Sequence, residues 1–103
     1  MKTEKDLKKL GKRTIYTVAI GNFSVPPTEE QKKVANIIRD ECHGLIAVHP
    51  AYPHGTLLMF DSLNNAKECR NVLQYEGVQT GNHIVEAEFD FETNTMGEGR
   101  IAA

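Results

Sequence analysis

The side chains best suited to chemistry in this sequence are two cysteines and several histidines. The candidates for metal ligation or nucleophilic catalysis are Cys42, His43, His49, His54 and Cys69. Their spacing forms no CxxC or HxxxH pair, the arrangements that most strongly indicate a zinc site. No serine or cysteine stands in a pattern that would place it beside a histidine oriented by an acid. We therefore predict no metal, no cofactor, no catalytic residue and no enzymatic activity.

Two smaller features of these residues guide the remaining expectations. Cys42 and Cys69 both occupy apolar positions of helical patterns, where a free cysteine behaves as a small hydrophobe, so we expect two reduced core thiols. His49 and His54 flank a proline-containing loop and could bind a ligand together or respond to pH near neutrality. One alternative hypothesis is therefore a dimeric protein that binds a small ligand.

Charge and length limit the class of protein. The chain has 103 residues, 40% of them hydrophobic, which suits one small domain. Residues 1–13 carry a net charge of +4, and the remainder carries −6. No apolar stretch approaches the roughly 20 residues of a membrane helix, and the charged N-terminus lacks the pattern of a secretory signal. We expect a cytoplasmic protein with a basic N-terminal arm (1–13), a folded domain (14–92) and a flexible C-terminal tail (93–103).

Hydrophobic periodicity predicts six elements that would position these side chains. β-branched and aromatic residues indicate a strand over 14–20, and short apolar runs indicate strands over 45–49 and 56–60. A capping box, Thr28-Glu29-Glu30-Gln31, begins a helix that ends near His43. A second helix starts after Asp61 or Ser62 and ends at Gly77, and strict alternation indicates a last strand over 83–92.

This element order determines the predicted fold. Strand, helix, strand, strand, helix, strand is the order of the ferredoxin-like βαββαβ plait, an α+β fold. Its four-stranded antiparallel sheet carries two helices on one face, which gives both apolar helix stripes a shared surface to pack against. We expect the other face of the sheet to be open.

Three short segments in this order also carry a resemblance. They are Val18-Ala19-Ile20-Gly21-Asn22-Phe23, Phe60-Asp61-Ser62-Leu63-Asn64-Asn65-Ala66 and Gly81-Asn82-His83-Ile84. Together they resemble the RNA-recognition motif family over roughly residues 14–91. That family stacks bases on aromatic rings of its central strands, whereas the matching positions here hold Ala19, Gly55 and Leu57. The resemblance implies the scaffold without its RNA-contacting residues.

The predicted open face leads to the main functional hypothesis. If Val85, Ala87, Phe89 and Phe91 face the helices, the open face combines an apolar centre with a row of carboxylates, a composition suited to protein contact. Its candidate contact residues are Leu57, Met59, Ile84, Glu86, Glu88 and Asp90. Tyr52, held between two prolines, adds a rigid aromatic side chain. We therefore expect a small protein-binding module.

Three kinds of partner remain open. The acidic row could imitate phosphates and occupy a nucleic-acid-binding protein, as in a phage-type inhibitor such as an anti-CRISPR protein. Two copies could instead pair through their sheets as a homodimer. The second alternative hypothesis is a weak binder of single-stranded RNA or DNA that uses the basic arm, with Lys8, Lys9, Lys12 and Arg13 on the phosphates.

Overall fold

The structure is a computed structural model that describes residues 4–50 and 55–103. Within these ranges the chain forms three helices and six strands. They are α1 (Glu4–Lys8), β1 (Lys12–Ile20), α2 (Glu29–Glu41), β2 (Leu45–Pro50), β3 (Thr56–Phe60), α3 (Leu63–Tyr75), β4 (Val85–Asp90), β5 (Thr95–Met96) and β6 (Arg100–Ile101). The strands and helices predicted between residues 14 and 92 are all present. No helix among the described residues is long and apolar enough to cross a membrane.

The strands form one antiparallel sheet, so the fold is α+β as predicted. The order across the sheet is β2-β3-β1-β4, and both β5 and β6 pair with the outer edge of β4. The part of the chain that the structure describes therefore has a sheet of six strands, where the sequence pattern predicts four.

The larger core lies between the sheet and helices α2 and α3. Val18 and Ile20 of β1 and Leu58 and Phe60 of β3 point to this side. They pack against buried residues of the helices and their ends, which are Ile38, Cys42, Ala66, Cys69 and Leu73. The helix stripes predicted from the sequence thus share one face of the sheet.

A second core covers the opposite face of the sheet, although the sequence pattern predicts that this face is open. Ile15, Met59, Phe89 and Phe91 are buried there and pack against one another. Partly buried neighbours complete this core, and they are Leu7, Leu10, Ile46, Ala47 and Met96. The segment that contains α1 therefore covers part of a face that was predicted to be bare.

This second core corrects the predicted orientation of β4. Tyr16 pairs with Glu86 and Arg13 pairs with Phe89, so the acidic residues of β4 lie on the side of α2 and α3. The alternation within the strand is as predicted, but its phase relative to the helices is reversed. The reason is that β1 is apolar on both faces, so the apolar row of β4 can bury itself on either side of the sheet.

The C-terminal segment also differs from its prediction as a flexible tail. Asn94 adopts φ 60°, a left-handed conformation that asparagine tolerates, and the chain turns back along β4. Ile84 N–H donates to Ala103 O at 2.9 Å, and Ala102 N–H donates to Ile84 O at 2.8 Å. These bonds satisfy backbone groups that an uncovered edge strand would leave unpaired.

The predicted boundaries of the N-terminal arm differ in the same way. Helix α1 begins at Glu4, and β1 begins at Lys12 rather than at residue 14. Phe91 N–H donates to Gly11 O at 3.0 Å, which ties the start of β1 to the end of β4. The described part of the arm is thus built into the domain.

A close approach between β1 and β3 depends on one glycine. Gly55 adopts φ +97°, which only glycine accepts readily, immediately before β3. A Cβ atom at this position would overlap the carbonyl oxygen of Ile20. The backbone of the two strands therefore excludes any side chain at residue 55.

Candidate functional site

A large apolar groove runs between α2 and β2 on the helix-bearing side of the sheet. Its volume is about 970 Å³, at the upper end of the range typical of ligand pockets. Ile20, Thr56 and Leu58 contribute to its lining from β1 and β3. Helix α2 lines one side of the groove, and β2, the outermost strand of the sheet, lines the other.

Helix α2 forms one wall of the groove, and its start is held by a network around Gln31. Thr28 caps the helix by accepting from Gln31 N–H at 3.1 Å, and Gln31 Oε1 accepts from Thr28 N–H at 2.9 Å. The same Gln31 oxygen accepts from the Ser24 hydroxyl at 2.8 Å, and Gln31 Nε2 donates to Asn22 O at 3.2 Å. The capping box thereby anchors the preceding loop, which carries Phe23 to the mouth of the groove.

Strand β2 forms the other wall. Leu45, Val48 and Pro50 pair with Phe60, Leu58 and Thr56, so their side chains lie on the helix-bearing face. Leu45 packs against the larger core, whereas Val48 and Pro50 are exposed. Val48 remains 41% exposed, and Phe23 across the groove remains 39% exposed. Such an uncovered apolar surface is typical of an interaction site.

The ionisable side chains that line the groove lie at one end. They are Arg39, Cys42 and His43, of which Arg39 and His43 are basic, and among the described lining residues there is no carboxylate. Arg39 donates to Asp40 at 2.9 Å, and this bond raises the pKa of Arg39 and lowers that of Asp40. Asp40 itself does not line the groove. The end near the α2–β2 turn is therefore suited to a carboxylate on a bound group.

The outer edge of β2 adds backbone groups to this apolar surface. In the described ranges, no strand pairs with that edge, whereas the opposite edge of the sheet is covered by the C-terminal segment. The sequence of β2, Leu-Ile-Ala-Val-His-Pro, contains no Lys, Arg, Asp or Glu, and its last residue, Pro50, has no backbone N–H to donate to a further strand. A bulge between Leu45 and Ala47 interrupts the regular pairing of β2 with β3. The regularly paired part of β2 is therefore its C-terminal half.

The structure separates the contact residues predicted from the sequence. Leu57 and Met59 lie on the face of the second core, where Met59 is only 1% exposed. Ile84 is fully buried in the larger core on the other side of the sheet. The predicted patch that joins these side chains is therefore wrong.

The acidic residues of that patch lie with Ile84 and not with Met59. Glu86 forms an ion pair with Arg100, and hydrogen bonds from Arg100 and Tyr16 lower the pKa of Glu86. Asp90 accepts from Glu92 N–H at 2.9 Å and from Thr93 N–H, which lowers the pKa of Asp90. Glu88 is exposed. Two of the three carboxylates thus stabilise the C-terminal segment.

The basic residues predicted for phosphate contact do not share one surface either. Lys8 ends α1, and Lys9 follows it. Lys12 and Arg13 are neighbours in β1, so their side chains point to opposite faces. Arg13 also lies 3.9 Å from Asp61. The described part of the basic arm is divided between the two sides of the sheet.

The remaining candidates are the loop residues and the histidines. Tyr52 and His54 lie outside the described residues, and their roles stay predictions. His49 packs edge-on against Phe89 with ring centroids 5.3 Å apart. Among the residues that the structure places, no group of three or more His, Cys, Asp or Glu could hold a metal ion.

Comparisons with protein-family models, with curated proteins and with solved structures found no match to this chain.

The groove was not predicted from the sequence, although two features of the sequence indicate it. The stripe of α2 is narrow, and β2 is apolar at every position between Leu45 and Val48. A strand that is apolar on both faces needs cover on both, and among the described residues Val48 of β2 remains exposed on the helix-bearing face.

Proposed function

We propose that this protein is a small protein-binding module that holds an extended segment of a partner protein in the groove between α2 and β2. The observation that carries the proposal is the contrast between the two edges of the sheet. The chain covers the edge of β4 with its own C-terminal segment and leaves the apolar edge of β2 without a strand in the described residues. An added strand from a partner would satisfy the β2 backbone.

The side chains around the groove favour an extended apolar segment. Alternate residues of an added strand would point towards the helix-bearing face, where Val48 and Phe23 are exposed. Phe23 provides an aromatic contact of the kind that often dominates binding energy. The proposal keeps the predicted class of protein-binding module but moves its surface from the sheet face to the groove.

The charges at the groove favour a foreign partner over a second copy of this chain. Arg39 and His43 would attract a carboxylate carried by the bound segment near the α2–β2 turn. Pairing of two β2 strands would instead bring in a second Arg39, and none of the described lining residues is a carboxylate. We therefore propose an apolar segment with an acidic residue near one end as the occupant.

For the scaffold, we propose a ferredoxin-like plait with additions at both ends. The order β2-β3-β1-β4 and the position of α2 and α3 on one face support this assignment. Helix α1 and the strands β5 and β6 are additions to it. Nothing in the groove favours the narrower hypothesis of a phage-type inhibitor, and the proposal does not depend on it.

The test selects ligands from a combinatorial peptide library on the immobilised full-length protein. Selected peptides should be apolar with an acidic residue, and they should shift the NMR amide signals of β2 and Phe23 and slow amide exchange along β2. Val48→Lys should abolish binding and change the free energy of unfolding by no more than about 0.5 kcal/mol, as is usual at exposed positions.

A matched control uses Tyr75, a second exposed apolar residue that is 89% exposed and does not line the groove. Tyr75→Lys should leave peptide affinity unchanged. The proposal is overturned if no peptide requires Val48, if the shifts map to the face of Leu57, or if only nucleic acid binds. A dimer in sedimentation that Val48→Lys dissociates would assign the groove to a second copy and overturn the foreign partner.

A further inference from the structure

The two cysteines of the chain meet in the larger core. Cys42 follows the last residue of α2, and Cys69 lies in the middle of α3. Their Sγ atoms are 2.6 Å apart, and the side chains are 7% and 0% exposed. A disulfide joins sulfur atoms about 2.0 Å apart, so a shift of roughly half an ångström would bring these two to bonding distance.

The surroundings give the two thiols different roles. A hydrogen bond from Cys69 lowers the pKa of Cys42, against the opposing effects of burial and of Glu41 and Glu68. The same hydrogen bond, together with burial, raises the pKa of Cys69. Thiol exchange needs a thiolate that the oxidant can reach, and Cys42 is the member of the pair that lines the groove, so we assign the first attack to Cys42 and the resolving step to Cys69.

Access to the pair also favours Cys42. This residue lines the groove between α2 and β2, whereas Cys69 does not. The groove volume of about 970 Å³ leaves room for a tripeptide disulfide beside Cys42. A small oxidant can therefore approach one thiol of the pair from the side of the groove.

We propose that Cys42 and Cys69 are a thiol modification site that low-molecular-weight disulfides such as glutathione disulfide convert reversibly into an intramolecular disulfide. This inference does not require the proposed peptide-binding function, although the oxidant would reach Cys42 through the same groove. It adds a covalent link between the end of α2 and the middle of α3.

The reaction proceeds by two thiol–disulfide exchanges. The Cys42 thiolate attacks one sulfur of glutathione disulfide, which breaks the S–S bond and releases one glutathione thiolate. Cys69 then attacks the Cys42 sulfur of the mixed disulfide and releases the second glutathione, and the protons of both cysteines pass to the two glutathione molecules. The two cysteines are oxidised, and the glutathione disulfide is reduced to two thiols.

The test incubates the reduced, folded full-length protein with glutathione disulfide and follows its intact mass. We expect the mass to fall by two hydrogen atoms, with both free thiols lost and no glutathione retained. Peptide mapping should join the segments that contain Cys42 and Cys69, and a reducing agent should restore both thiols. Oxidation should also raise the temperature of thermal unfolding, since it links two helices that pack together.

Single variants separate the two roles. Cys69→Ala should retain one glutathione on Cys42, whereas Cys42→Ala should remain unmodified while folded. Circular dichroism and thermal unfolding would establish that each variant is folded, and the result for the unsubstituted chain stands if either is not. The proposal is overturned if oxidation of the unsubstituted chain requires denaturant, if it yields covalent dimers, or if glutathione remains attached to the protein.

Discussion

Tyr16 of β1 and Glu86 of β4 are paired directly across the two strands, with both side chains on the helix-bearing face of the sheet. Arg100 of β6 donates to the carboxylate of Glu86, so three consecutive strands of the sheet meet at Glu86. Hydrogen bonding to Glu86 is the main cause of the raised pKa of Tyr16. A residue that the sequence places on an open binding face thus holds the C-terminal segment to β4.

Glu86 should make attachment of the C-terminal segment sensitive to acid. Its folded pKa lies below the ordinary value of 4.5, so its pairing contributes stability above that value and is lost as pH falls through the lowered folded pKa. Glu86→Gln should reduce the protection of the Ile84 and Ala102 amides against hydrogen exchange at neutral pH. In this variant the protection should also change less when the pH is lowered. Glu88→Gln, on the exposed part of the same strand, should change neither.

Met59 should behave as a core residue and not as a surface contact. Met59→Ala should lower the free energy of unfolding by about 2–5 kcal/mol, because a buried side chain is removed from the second core. Leu57→Ala, on the same strand and face but half-buried, should cost less. Urea denaturation of the two variants gives the comparison, and equal losses would contradict the assigned burial.

Thr28 and Gln31 should control both the start of α2 and the position of Phe23. Thr28→Ala should lower the free energy of unfolding by about 1 kcal/mol, the usual effect of losing an N-cap side chain. Thr28→Ser should retain most of the stability, because its hydroxyl can still cap the helix. Gln31→Ala should in addition increase the fast backbone motion of Phe23, because Gln31 holds Ser24 and Asn22. NMR relaxation measures this motion, and an unchanged Phe23 would show that other contacts hold the loop.

Removal of residues 95–103 should expose the outer edge of β4 and the side chain of Ile84. A loss of only about 1 kcal/mol would lower the unfolding temperature by roughly 4 °C or more in a domain of this size. The uncovered edge should also promote self-association, which size-exclusion chromatography detects. A truncated protein that is monomeric and equally stable would mean that β5 and β6 contribute little.

The sequence was most informative where a pattern depends on neighbouring residues alone. The Thr28 to Gln31 capping box, the apolar stripe of α2 and the alternation of β4 each predict an element that the structure contains. These patterns are local because helix and strand periods follow from backbone geometry. They locate elements well but leave open which partner each apolar face meets.

The missed features depend on contacts between distant parts of the chain. Ile15 and Met59 lie on the sheet face opposite α2 and α3. Their covering by Leu7 and Leu10 depends on the path of the N-terminal segment, which the sequence pattern does not show. The approach of Cys42 to Cys69 likewise depends on how α2 crosses α3. For this reason the groove, the thiol pair and the position of Glu86 did not follow from spacing.

The lack of space for a side chain at Gly55 restricts which substitutions this sheet can accept during evolution. An aromatic ring at residue 55, which would give the sheet a platform for stacking nucleobases, would require the end of β1 to be rebuilt rather than one substitution. Ala19 and Leu57, paired across β1 and β3, remain half-buried on the same sheet. A directed-evolution experiment that selects for RNA affinity should therefore recover rings at these two positions and retain glycine at residue 55.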